Sequence, residues 1–132
     1  MASNSVLGLD IGEKRIGVAR VQLIARIPQA LGALSNDESF SGALQAIIDE
    51  YQPDTLVIGL PRSLDGQETA QSAYVRAFSQ ERLVQFNLPL VFQDETLSSR
   101  VAKERLQGTQ HSKGDIDAQA AVVILEDYLL TV

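Results

Sequence analysis

The sequence predicts an α/β fold, one mixed sheet of five strands with helices on both faces. Three observations lead there. The first thirty residues alternate and turn in the manner of an antiparallel meander. The runs TLVIGL (55–60) and PLVFQ (89–93) are continuously apolar, as strands covered on both faces are. Stretches of helical period separate these later strands, so they join by crossovers and run parallel. A length of 132 residues suits a single domain, 1–132, with one core.

Taken in order, residues 6–10 (VLGLD) form a short apolar strand and Ile11-Gly12-Glu13-Lys14 turns the chain. Residues 15–21 alternate and continue into 23–31 as the second and third strands, with Pro28 at an edge or end. Ser35 and Glu38 have the spacing of a capping box, ahead of Phe40, Ala43, Leu44, Ile47, Ile48 and Tyr51 at helical period. Pro53 stops that helix before the strand at 55–60. A turn over 61–66 leads to a second helix over 68–86, with Ala70, Ala73, Ala77 and Phe78 facing inward. The strand at 89–93 ends at Asp94-Glu95, and a third helix covers 97–106. Residues 107–114 (QGTQHSKG) read as a polar loop, with Gly108 and Gly114 as pivots and His111 or Lys113 within reach of a phosphate. The last helix, 116–130, is apolar nearly all round and therefore buried.

Composition narrows the chemistry. Apolar residues at 45% and charged residues at 21% belong to a globular chain, not a disordered one. No run approaches the roughly 20 apolar residues of a membrane span, and Met1-Ala2-Ser3-Asn4-Ser5 lacks the features of a signal peptide, so the expected location is cytoplasmic with no membrane partner. With no cysteine and one histidine, His111, thiolate chemistry and multi-imidazole metal sites are excluded. Carboxylates are left to do any catalysis.

Three acids interrupt apolar context: Asp10 ending the first strand, Glu95 ending the last, and Asp117 opening the final helix. Singly, each has a structural role as a turn former, a solvated strand end or a partner of the helix dipole. Parallel strands bring Asp10, Leu60 and Glu95 to the same sheet edge, where ligands bind in such folds. Three carboxylates gathered there repel one another and need a compensating charge. Hard oxygen donors without imidazole or thiolate favour Mg²⁺ or Mn²⁺, and two such ions roughly 3.5–4 Å apart serve phosphodiester hydrolysis. The pattern D-x-G-x-x-x-x-G over Asp10–Gly17 is also how sugar kinases and actin-like ATPases cradle phosphate. Those enzymes close two such domains on the nucleotide, and this chain has length for one.

The blocks Leu7-Gly8-Leu9-Asp10-Ile11-Gly12 with Lys14-Arg15-Ile16-Gly17-Val18-Ala19, Val57-Ile58-Gly59-Leu60-Pro61 with Asp65-Gly66, Asp94-Glu95, and Asp117-Ala118-Gln119-Ala120-Ala121 with Ile124-Leu125 together resemble the YqgF/RuvX family. The resemblance spans nearly the whole chain. It implies an RNase H-like fold of the RuvC type with strand order 3-2-1-4-5, and an activity described for the family as Holliday-junction resolution or, in bacteria, maturation of the 5′ end of pre-16S ribosomal RNA. It also implies that Asp10, Glu95 and Asp117 are the catalytic acids and metal ligands. Two departures stand out: Thr96 follows Asp94-Glu95 where the family usually has Arg, and Arg20-Val21-Gln22 replaces a Ser-Asp pair common after the second strand. Neither removes a metal ligand, but both alter contacts with nucleic acid.

The net charge of −6 argues against binding a phosphate polymer, yet the distribution is polarised. Residues 96–114 carry a net charge of +3. Substrate contacts are expected from Lys14, Arg15, Arg62, Arg100, Lys103 and Lys113, with Arg20 and Arg26 enlarging the basic cluster at the first hairpin. Arg76, Arg82 and Arg105 read as solvated surface charges. Few aromatics and no base-reading signature imply recognition by shape and phosphate. The expected activity is a metal-dependent nuclease on structured RNA, pre-16S rRNA or ribosomal particles, acting as a monomer or weak homodimer. A four-way DNA junction resolvase and a non-catalytic nucleic-acid-binding module are the alternatives.

Overall fold

The computed structural model describes residues 4–61, 67–95 and 98–132. The elements follow as β1 (Ser5–Ile11), β2 (Arg15–Gln22), β3 (Gln29–Ser35), α1 (Phe40–Tyr51), β4 (Thr55–Pro61), α2 (Ala70–Phe78), β5 (Leu90–Glu95), α3 (Ser98–Leu106) and α4 (Lys113–Leu129). They form one five-stranded sheet in the order β3-β2-β1-β4-β5. The β1–β2 and β2–β3 pairs are antiparallel, and β1–β4 and β4–β5 are parallel. This is the mixed sheet and strand order expected from the sequence.

Alternation along β1 sends its two sets of side chains into two separate cores. Leu7, Leu9 and Ile11 join Phe40 and Leu44 of α1 and Val75 and Phe78 of α2 on one face. Phe40 and Phe78 meet edge to face at 5.3 Å between ring centroids. On the other face Val6, with Ala19 and Val21 of β2 and Val57 of β4, packs against Ala121, Ile124 and Leu125 of α4. Helix α3 packs on α4, tied to it by Arg105 and Glu126 at 2.6 Å.

Helix α4 sits unusually close to the sheet because glycines face it. A Cβ on Gly8 would lie 2.6 Å from Leu125 Cγ, and one on Gly17 would overlap the carbonyl group of Asp117. Gly59 makes the same room for Ile124. Asp117, Ala121, Ile124 and Leu125 have the spacing of a single helical stripe. That stripe is seated on β1, β2 and β4.

Several boundaries differ from the sequence reading. The third strand lies at Gln29–Ser35, not 23–31, because Pro28 cannot donate to a ladder and the strand begins after it. Residues 23–28 form a loop held by the Arg26 guanidinium, which donates to the Leu129 carbonyl at the end of α4. Ser35 ends β3 and caps nothing; Asp37 instead accepts from the Ser39 backbone N–H at 2.8 Å and its hydroxyl at 2.5 Å. Ala70, Ala73 and Ala77 are exposed, and the buried stripe of α2 is Ser72, Val75 and Phe78. Ser72 can be buried because its hydroxyl donates to the Thr69 carbonyl at 3.0 Å. The expected single helix over 68–86 gives way after Phe78 to a π-turn at 79–83 and a 3₁₀ turn at 84–86. As an edge strand, β5 is half-buried, not covered on both faces. Ser112 and Asp115 form a capping box that starts α4 at Lys113, so Gly114 belongs to its first turn and is no pivot. Among the described residues no helix is long and apolar enough to cross a membrane.

Candidate active site

Asp10 is the penultimate residue of β1, and its ladder partner on β2 is Gly17. Residues opposite each other in an antiparallel pair face the same side. The absent side chain at Gly17 lets the α4 backbone dock there at Asp117, so the closest approach of helix to sheet sets Asp117 beside Asp10. The two carboxylates sense each other. The Asp10 carboxyl is pushed up from 3.8 to about 6, first by burial and then by the charge of Asp117. Among the described residues nothing donates a hydrogen bond to it.

Arg15, the first residue of β2, donates from Nε to Asp117 Oδ2 at 2.6 Å, with about a third of the Arg15 side chain exposed (35%). Glu95 is the last residue of β5, opposite Pro61 of β4. The parallel ladders carry its backbone to the sheet edge where β1 ends. Its side chain lies outside the described residues, as do Arg62, Asp65, Gly66 and Thr96. Asp117 lies in the second turn of α4; the helix-opening acid is Asp115.

The β1–β2 turn is held from the opposite face. Asn36 Nδ2 donates to the Gly12 carbonyl and to the Tyr74 hydroxyl, both at 2.8 Å, and Gln71 Nε2 reaches the Ile11 carbonyl at 3.3 Å. Arg82 in turn donates to Asn36 Oδ1 at 3.0 Å and lies over the rings of Phe40 and Phe78 at 5.1 and 5.4 Å. Arg82 is therefore a structural cation and not the solvated charge expected. Asn36 and Gln71 carry no sequence signal for this role; a polar residue just past a strand or on an exposed helix gives no sign that a turn 24 or 60 residues away needs its amide. The glycines of the D-x-G-x-x-x-x-G pattern also take a different role. Gly12 avoids the Arg15 carbonyl in the turn, and the space beside Gly17 is filled by α4.

The basic residues separate into three groups. Arg15, Lys103 and Lys113 line one open cleft of about 320 Å³ together with Ile116 and Asp117. Lys14 is exposed in the adjoining turn, and Arg100 pairs with Glu104 at 3.3 Å on the outside of α3. Arg20 and Arg26 lie at the far end of the sheet, where Arg20 stacks 4.6 Å from the Tyr51 ring centroid and Arg26 ties down α4. They do not enlarge the basic cluster at the first hairpin. Arg76 pairs with Glu68 at 3.1 Å and Arg105 with Glu126, so both are committed at the surface. His111 is exposed, its Nδ1 2.9 Å from the Thr109 carbonyl.

Two acidic oxygen donors beside each other, one half-buried without a hydrogen-bond donor among the described residues, fit a hard divalent cation and do not fit a soft one. Among the described residues no third histidine, aspartate or glutamate completes a cluster with them.

Comparison with known proteins identifies the family and the fold. The profile of a family described as RuvX: Holliday junction resolvase matches residues 4–131. A protein of Methylobacillus flagellatus named "Putative pre-16S rRNA nuclease" is 40% identical over 130 residues, covering 93% of this chain and 88% of its own. One of Paraburkholderia phymatum with the same name is 37% identical over 127 residues, covering 95% and 84%. Among solved structures, T. thermophilus RuvC in complex with a Holliday junction substrate superposes with a TM-score of 0.59 at 12% identity, covering 96% of this chain and 95% of that one. At that identity the likeness concerns the fold.

Proposed function

The chain belongs to the RuvX family, and on that premise we propose that it is a divalent-metal-dependent nuclease hydrolysing phosphodiester bonds in structured nucleic acid, with the 5′ end of pre-16S rRNA as its substrate. The observation that carries the reading is the meeting of Asp10 and Asp117 at the carboxyl edge of the sheet, next to a cleft walled by Arg15, Lys103 and Lys113. The names of the two bacterial relatives support the choice of RNA.

In this reading Asp10, Glu95 and Asp117 are the catalytic acids and hold Mg²⁺ or Mn²⁺, two ions in all. A bound divalent cation lowers the pKa of water to supply a nucleophile and stabilises charge on the departing oxygen. The chain's own residues do the rest. The β1–β2 ladder and α4 fix the separation of Asp10 and Asp117 before substrate arrives, which is the preorganisation such chemistry needs. Arg15, Lys103 and Lys113 grip phosphates flanking the scissile bond, and exposed Lys14 extends that track. The substrate places the protein in the cytoplasm.

A DNA junction resolvase is the second reading, favoured by the description of the family itself. The deciding experiment offers precursor 16S rRNA and a four-way DNA junction side by side, with and without Mn²⁺, to the native protein and to Asp10→Asn. Metal-dependent trimming of the RNA that Asp10→Asn abolishes is the expected result. Symmetric paired nicking of the junction alone would move the assignment to the second reading. Cleavage of neither, with nucleic acid still bound, would leave a binding module.

A further inference from the structure

The ion pair between Arg15 and Asp117 occupies a carboxylate that the proposed function assigns to a metal, and the inference that follows rests on that assignment. Arg15 spends only Nε on Asp117, and among the described residues the guanidinium makes no other hydrogen bond. Arg15 lines the same cleft as Lys103 and Lys113. A guanidinium is built to hold either a carboxylate or a phosphate, and it cannot be neutralised by losing a proton. A divalent cation shared by Asp10 and Asp117 would put a second positive charge against the carboxylate that Arg15 already holds.

We propose that Arg15 is a latch with two alternative partners: it closes on Asp117 when the metal is absent, and is released to the substrate phosphate when the metal binds. Metal and nucleic acid then compete with the same internal contact, one for its carboxylate and the other for its guanidinium. Each helps the other by removing that contact, and the coupling is reciprocal. The metal-free protein is held in a state that grips phosphate poorly. Arg15 is thus a positioning residue whose ion pair sets the order of assembly.

The test reads binding, not turnover. In native protein without nucleic acid, the Nε–H resonance of Arg15 is followed by NMR during titration with Mg²⁺, saturation being established by calorimetry. The latch requires that resonance to shift or broaden as the site fills. An unmoved resonance at saturation would overturn it. In parallel, Mn²⁺ affinity is measured for the native protein, Arg15→Gln and Lys103→Gln, with thermal melts confirming that each folds. Lys103→Gln removes one positive charge from the same cleft without touching Asp117, so it reports the general electrostatic effect. Arg15→Gln should tighten Mn²⁺ roughly five- to tenfold, and Lys103→Gln less than about twofold, the excess reflecting the lost ion pair. Equal changes in the two variants would also overturn the latch and leave the metal site standing. Absence of Mn²⁺ binding at millimolar concentration in all three proteins would sink the metal site itself, and the latch with it.

Discussion

Replacing Asp10 by Asn should make the metal-free protein more stable, and the size of the effect follows from the environment of that one carboxylate. Burial and the neighbouring Asp117 raise its pKa from 3.8 to about 6. The unfolded chain therefore releases this proton more readily than the folded one. Between about pH 4 and pH 6 the folded state binds more protons, so the Asp10 contribution to stability falls as pH rises through that window and stays at its low value above it. At about 1.4 kcal/mol per tenfold change, the full penalty at pH 7.5 is roughly 3 kcal/mol. It shrinks to about 1 kcal/mol at pH 4.5. Asn has the shape of Asp without the charge and escapes the penalty. Urea unfolding in a chelator at pH 7.5 should show Asp10→Asn more stable by about 2–3 kcal/mol, or about 10 °C in a thermal melt. The gap should narrow as pH falls towards 4.5. Saturating Mg²⁺ should raise the native midpoint and leave that of the variant in place. A variant no more stable than the native protein at pH 7.5, or a gap that ignores pH, would refute the claim that Asp10 is a charge held at a cost.

Three further outcomes are expected. Gly17→Ala would force α4 off the sheet at Asp117, costing at least about 2 kcal/mol in chemical denaturation and abolishing Mn²⁺ binding measured by calorimetry. Lys103→Gln and Lys113→Gln should each lower the dependence of RNA affinity on salt by about 0.7–0.9 in the log–log slope, whereas Arg100→Gln, whose side chain pairs with Glu104 outside the cleft, should leave the slope unchanged in filter-binding titrations. Arg82→Ala removes contacts with two rings and with Asn36, and should cost about 1–2 kcal/mol in thermal or urea unfolding while Mn²⁺ affinity stays within about twofold.

The sheet was legible because its signals are local and periodic. The apolar runs of β1 and β4 and the alternation of β2 state their own conformation, and the alternating order of strands and helices leaves few ways to connect them. The errors fall where small or polar residues decide. In α2 the alanines were counted as apolar, yet Ser72 and Ser79 take the buried side because each hydroxyl finds a backbone carbonyl within its own helix or its turn. Pro28 was known to mark a boundary, but the sequence does not state on which side of it the strand lies. In the site, topology brings Asp10 and Glu95 to one sheet edge, whereas the place of Asp117 depends on how α4 docks at Gly17, and the Arg15–Asp117 pair joins residues 102 positions apart and has no local signature. The glycines of the first hairpin were visible as a motif, and only the docked helix discloses that Gly17 makes room for protein instead of ligand.

The seat that Gly8, Gly17 and Gly59 provide for α4 has a consequence for how this molecule tolerates change. A saturation scan should return these three positions as closed to every other amino acid, as sharply as Asp10 and Asp117, although their part is only to make room for a helix. Variants there would behave as loss-of-function alleles whose defect is one of registration: the acids remain in the chain but no longer face each other. Second-site suppressors of the Gly59 and Gly8 alleles belong on α4, among smaller replacements for Ile124 and Leu125 respectively, whereas Gly17 alleles, which meet the α4 backbone at Asp117, should have no such suppressor.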